Sequence, residues 1–111
     1  MFEYQAKIDR VIDGDTCDII VNVGFSILLQ ERFRLYGINA PETRTRDRAE
    51  KKRGLEAKRW LIDRLTDKDI IIRTHKDKKG KFGRYLATLF VDGENVNQEM
   101  VDKGLAVEYM I

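Results

Sequence analysis

A chain of 111 residues is long enough for one domain with a single modest core. Charged residues make up 36% of it, yet the formal net charge is only +2, so bulk charge neither indicates nor excludes a polyanionic partner. One cysteine (Cys17) excludes an internal disulfide, one His with one Cys excludes a zinc site built from those ligands, and no apolar run reaches the ~20 residues of a membrane helix.

Residues 2–12 alternate Phe2, Tyr4, Ala6 and Ile8 with polar positions, the pattern of a half-buried strand. Asp13-Gly14-Asp15 signals a turn, and residues 16–23 read as a second strand with Cys17, Ile19, Val21 and Val23 on one face. Gly24 breaks it, and residues 27–38 give a third strand. Residues 39–50 hold the only proline, Pro41, and a mostly charged run, so a loop is expected there. From Leu55 the period changes: Leu55, Trp60, Leu61 and Leu65 recur at helical spacing, which predicts a helix over about 53–66. Ile70 opens a fourth strand, residues 76–81 form a polar hairpin loop, and residues 85–91 form a fifth strand. Asp92-Gly93 is a turn into a short helix over 96–103, with Val96, Met100 and Val101 inward, and Gly104 ends it. Residues 106–111 are a last extended piece. Five strands with a helix between the third and fourth is the order of an OB-fold barrel, so a mainly β fold in a single domain, 1–111, is expected.

Charge is unevenly spread along this order. Residues 1–43 hold 4 Lys/Arg against 7 Asp/Glu, residues 44–84 hold 16 against 7, and residues 85–111 hold 1 against 5. The middle third therefore carries a net +9 between two acidic ends, an asymmetry that points to a polyanion.

Within the acidic first segment, Asp13 and Asp15 straddle Gly14 in the first turn. Such aspartates commonly serve only to cap free amides in a tight bend. They gain a second reading from company: a hard cation needs several oxygens from rigid turns, and Asn39 and Glu42 offer two more. Arg34 stands between Phe33 and Leu35, where strand alternation sends it to the face opposite theirs, and Arg84 follows Gly83 after the lysine-rich loop. Each can be an ordinary exposed charge. Two guanidinium groups beside a carboxylate-bound cation would instead form a site for a phosphodiester. Cys17 reads as a small buried apolar residue, Trp60 as core, and His75 as a surface residue at a strand end.

The strings Val11-Ile12-Asp13-Gly14-Asp15-Thr16, Phe33-Arg34-Leu35, Pro41-Glu42-Thr43 and Lys81-Phe82-Gly83-Arg84 stand in a telling order. Together with Gly54-Leu55-Glu56-Ala57, Val96-Asn97 and Gly104-Leu105-Ala106 they resemble the staphylococcal-nuclease-like (thermonuclease) family, over about residues 5–109. The resemblance implies an OB-fold barrel that cleaves DNA and RNA phosphodiesters with Ca²⁺. It implies that Asp15 is a direct Ca²⁺ ligand with Asp13 in support. By the same likeness Arg34 and Arg84 grip the phosphate, and Glu42 orients or deprotonates the attacking water.

The chain also departs from that pattern. It has Asn39-Ala40-Pro41-Glu42 where the family commonly has Asp-Thr-Pro-Glu or Asp-Ala-Pro-Glu. Asn39 keeps an oxygen at the implied metal position but loses a charge, while Ala40 still offers its backbone carbonyl, so weaker Ca²⁺ binding is expected. Phe82 stands where the family often has Tyr, and Tyr109 alone remains of a tyrosine pair. Lys78, Lys79, Lys81, Phe82 and Tyr109 are the expected contacts to single-stranded or frayed DNA or RNA. The residues for the family's C-terminal helix do not follow Ile111, which makes Val107, Met110 and Ile111 candidates for self-association. No signal-peptide pattern opens the chain, so a cytoplasmic location and no membrane partner are expected. The function expected is Ca²⁺-dependent hydrolysis of nucleic acid with low sequence specificity; the alternative is a catalytically weakened OB-fold binding module.

Overall fold

The computed structural model describes residues 2–75 and 85–109. Five main strands build the barrel: β1 (Glu3–Asp13), β2 (Thr16–Asn22), β3 (Leu28–Leu35), β5 (Ile70–His75) and β6 (Tyr85–Val91). Two-residue strands β4 (Ile38–Asn39), β7 (Glu94–Asn95) and β8 (Val107–Glu108) complete the set, with helices α1 (Arg48–Leu65) and α2 (Val96–Asp102). Antiparallel pairing runs β3-β2-β1-β5-β6, and parallel pairing of Phe33–Leu35 with Tyr85–Ala87 closes the ring. This is an OB-fold-like barrel, as the strand order predicts. No helix among the described residues is long and apolar enough to cross a membrane.

Strand β2 follows strict alternation, with Cys17, Ile19 and Val21 buried and Asp18 and Ile20 turned outward. Strand β1 does not. It buries Ala6 and then Val11, because its pairing with β2 slips between Ile8 and Arg10. That bulge lets both ends of an 11-residue strand face the core. The third strand is shorter than the expected 27–38: it ends at Leu35, the chain turns at Tyr36-Gly37, and Ile38–Asn39 pair separately with Val107–Glu108.

Helix α1 begins at Arg48, inside the segment expected to be a loop, and is 18 residues long. Asp47 caps it by accepting from the amides of Ala49 and Glu50 at 3.0 and 3.2 Å. Its inward stripe is Gly54, Ala57, Leu61 and Leu65, whereas Leu55, an expected core position, is exposed. Trp60 packs against the core from a half-buried position. Leu61 and Leu65 meet Ile19, Leu35, Ile70, Ile72, Leu89, Val96 and Met100 in the same buried cluster. Cys17 is fully buried, and burial pushes its thiol pKa well up, which fits an apolar role. His75 is more enclosed than a surface residue: its Nε2 lies 2.7 Å from Thr88 Oγ1 and its ring stacks on Tyr36 at 3.8 Å. Desolvation, then the nearby Arg73 charge, holds its imidazole below the usual histidine range.

Candidate active site

Three chain segments meet where the site was expected: the Asp13-Gly14-Asp15 turn, the segment after β4, and the inner face of α1. Their contact is set by the lack of side-chain volume. A Cβ on Gly14 would stand 2.8 Å from the Ala57 Cβ and 2.9 Å from the Ala40 Cβ. Gly14 has no positive φ, so space rather than backbone conformation demands glycine there. A Cβ on Gly54 would stand 2.5 Å from the Glu42 carbonyl oxygen and 2.8 Å from that of Pro41. The backbone carrying Glu42 therefore lies directly on α1.

Asp15 is the buried acid of this cluster. Its Oδ2 accepts from the Ala40 amide at 2.9 Å and its Oδ1 from Thr16 Oγ1 at 3.1 Å. Its own carbonyl accepts from the Leu35 amide at 2.8 Å, which ties the turn to the end of β3. Arg34 does not point to open solvent. Its side chain is 13% exposed, its Nη2 lies 3.9 Å from Asp15 Oδ2, and the same nitrogen donates to Asn39 Oδ1 at 3.2 Å. Its guanidinium carbon sits 5.0 Å from the centroid of the Tyr109 ring, a cation–π distance. Arg34 Nη1 is buried and has no hydrogen-bond partner among the described residues. A buried guanidinium nitrogen left unpaired is costly, and a phosphate oxygen is the type of group that would satisfy it.

Asp13 accepts from Thr43 Oγ1, which anchors the loop beyond Glu42 to the same turn. Glu42 itself is exposed. The structure thus brings together Asp13, Asp15, Arg34, Asn39, Ala40 and Tyr109, with the backbone of Glu42 alongside. Arg84, Lys78, Lys79, Lys81 and Phe82 lie outside the described residues, as do Met110 and Ile111. Val107 is described and exposed. Sequence reasoning assigned no task to Thr43, Gly54, Ala57 or the Ala40 side chain; the small-residue spacing of 54 and 57 on α1 was the available signal.

Among the described residues no three His, Cys, Asp or Glu side chains converge into a ready-made cation cage. The donors present are nonetheless of one kind. Asp15 uses one hydrogen bond per carboxylate oxygen among the described residues, leaving lone pairs on both. The oxygens nearby are the Asn39 Oδ1, which accepts from Arg34, and the carbonyl of Ala40, whose amide donates to Asp15; an all-oxygen ligand set fits a hard cation such as Ca²⁺.

A closed OB-fold-like barrel, with a buried carboxylate and guanidinium where two loops meet a helix, defines a narrow class of protein. The chain belongs to the staphylococcal nuclease family: the family described as "Staphylococcal nuclease homologue" matches residues 32–111. It is 33% identical over 104 residues to a thermonuclease of Staphylococcus hyicus, covering 94% of this chain and 59% of that protein. It is 32% identical over 99 residues to a thermonuclease of Staphylococcus intermedius, covering 89% of this chain and 56% of that protein. Endonuclease YhcR of Bacillus subtilis is 31% identical over 116 residues, covering 98% of this chain but 9% of that much longer protein. The chain thus spans less than two thirds of the length of these relatives.

Proposed function

We propose that this chain hydrolyses phosphodiester bonds of DNA or RNA with Ca²⁺ as cofactor and little sequence preference. The observation that carries the reading is Arg34, a nearly buried guanidinium with Nη2 engaged beside Asp15 and Nη1 without a partner among the described residues. In this reading Arg34 Nη1 takes a non-bridging phosphate oxygen and binds it more tightly as charge builds toward the transition state. Glu42, exposed on a backbone fixed by α1, orients the attacking water and accepts its proton. Asp15, Asn39 and the Ala40 carbonyl would hold Ca²⁺, with Asp13 in support through its Thr43 contact. Bound Ca²⁺ would supply the Lewis acid that neutralises a phosphate oxygen. The basic stretch 44–84 would draw the polymer to the site, and the part assigned to Arg84 rests on the family motif.

The test is cleavage of single-stranded DNA in Ca²⁺ and in chelator, beside Glu42→Gln. Activity in Ca²⁺ alone, with a loss of roughly 10²-fold or more in Glu42→Gln, is the expected result. Cleavage that persists in chelator or in the variant overturns the mechanism.

One observation favours the second reading, a catalytically weakened binding module. Asn39 brings no charge, and its amide oxygen is already taken by Arg34. The consequence is measurable: Asn39→Asp should lower the Ca²⁺ concentration at half-maximal activity severalfold, because ligand charge is one determinant of affinity. Equal half-saturation in both proteins would remove Asn39 from the metal site. Tight binding of DNA without cleavage by the wild type would select the binding module.

A further inference from the structure

A second depression lies between β1 and α1, beside the Asp15–Arg34 cluster rather than in it, and Arg10, Thr43, Arg44, Lys58 and Thr66 line it. The three cations are phosphate-binding groups, no lining residue is aromatic, and the Thr43 and Thr66 hydroxyls already donate to Asp13 and to the Ile62 carbonyl. Its one acid, Asp9, is turned aside to accept from Gln30 Nε2. Arg10, Arg44 and Lys58 make no ion pair among the described residues, whereas Lys7, Arg32, Arg64 and Arg73 each hold an acid. Three cations against one acid leave the lining net positive, with Arg10 also standing across from Asp18 in the β1–β2 register. Lys58 and Ile62 lie four residues apart on α1 and Thr66 is its C-cap, so this wall follows the last turns of the helix. Thr43 belongs to both places. Its side chain donates to Asp13 at the margin of the candidate active site, and it also lines the depression.

We propose that the β1–α1 depression is a second phosphate-binding subsite, which holds the nucleic-acid strand beyond the phosphate at Arg34. The proposal rests on the nuclease reading and extends it: a strand leaving the site past Thr43 meets Arg44, then Arg10 and Lys58. Recognition there is of backbone phosphate, so it adds affinity for longer strands without reading sequence.

The experiment measures binding of two-nucleotide and ten-nucleotide oligothymidylates in chelator across a salt series. The paired variant Arg10→Gln with Lys58→Gln removes two cations that make no direct ion pair among the described residues. It should bind the ten-nucleotide strand roughly tenfold more weakly and the two-nucleotide strand as the wild type does. Its slope of log affinity against log salt should flatten by about 1.4, the share of two phosphate contacts on a single strand. Lys51→Gln with Lys52→Gln makes the same charge change on the outward face of α1, around Leu55 and Arg59. Unchanged affinity of the Arg10/Lys58 variant for the long strand overturns the subsite. An equal loss in the Lys51/Lys52 variant also overturns it, because the effect would then be the general field of the helix. A protein that binds neither strand in chelator nor, as Glu42→Gln, in Ca²⁺ overturns the nuclease reading itself, and the subsite with it.

Discussion

Replacing Arg34 by lysine is expected to lower kcat on single-stranded DNA by roughly 10²–10³-fold while the thermal midpoint changes little. The argument lies in the shape of the guanidinium. Nη2 is spent on Asn39 Oδ1 and stands 3.9 Å from Asp15, and Nη1 is left over at the same site. One planar fork can therefore hold the loop and bind a phosphate oxygen at the same time. A lysine ammonium supplies the charge at a single point, so it must choose between those two tasks. The small stability effect follows because the pair with Asp15 is long and Asp15 keeps its bonds to Ala40 and Thr16. A fall in kcat of less than about tenfold would show that Arg34 is structural and nothing more.

The largest loss of stability is expected at Asn97, which is 4% exposed and makes three hydrogen bonds. Its Oδ1 accepts from the Leu89 amide at 3.1 Å, and its Nδ2 donates to the carbonyls of Tyr36 and Ala87 at 3.0 and 3.1 Å. Asn97→Asp keeps the shape but turns a donor into an anionic oxygen facing two carbonyl oxygens. Two acceptors lose the Asn97 donor, of which the Ala87 carbonyl keeps its bond from the Tyr36 amide, and a charge is buried unpaired, for a cost of about 3 kcal/mol. In a protein of this size that lowers the melting temperature by roughly 15 °C, read by calorimetry. A drop under about 5 °C would mean that the three bonds are dispensable. The position also bears on the site, since Tyr36 and Ala87 flank the end of β3 where Arg34 stands.

The barrel was readable because its strands carry plain signals. Alternation in β2 and the Asp92-Gly93 turn, both of whose residues have positive φ, need only local chemistry. The start of α1 falls inside the segment 39–50, whose charges look like a loop. Yet Asp47 is an N-cap residue with the acid Glu50 in the first turn, and that signal outranks composition. Leu55 misled for a related reason: the helix turns its smallest residues inward, where backbone must come close, and sends a leucine to the surface. Of the site, motif order alone located Asp13, Asp15, Arg34 and Asn39, which the fold does bring together. The division of Arg34 between two partners could not be read from strand alternation, which allowed only inward or outward. Nor could the bulge that reverses β1, since it arises from pairing with a strand elsewhere in the chain.

The close approach of Gly54 to the Glu42 backbone has a consequence for how the molecule becomes competent. A carboxylate held by side-chain bonds can be set early, within its own loop. Here the Glu42 side chain is exposed, and its backbone is placed by the docked helix together with the bond from the next residue, Thr43, to Asp13. Barrel and site are therefore separable in part: an opening that lifts α1 frees the Glu42 backbone, while Asp15 and Arg34 keep their bonds to Ala40 and Asn39. Protection of the α1 amides against hydrogen exchange, rather than that of the sheet, would then report the fraction of molecules ready to act.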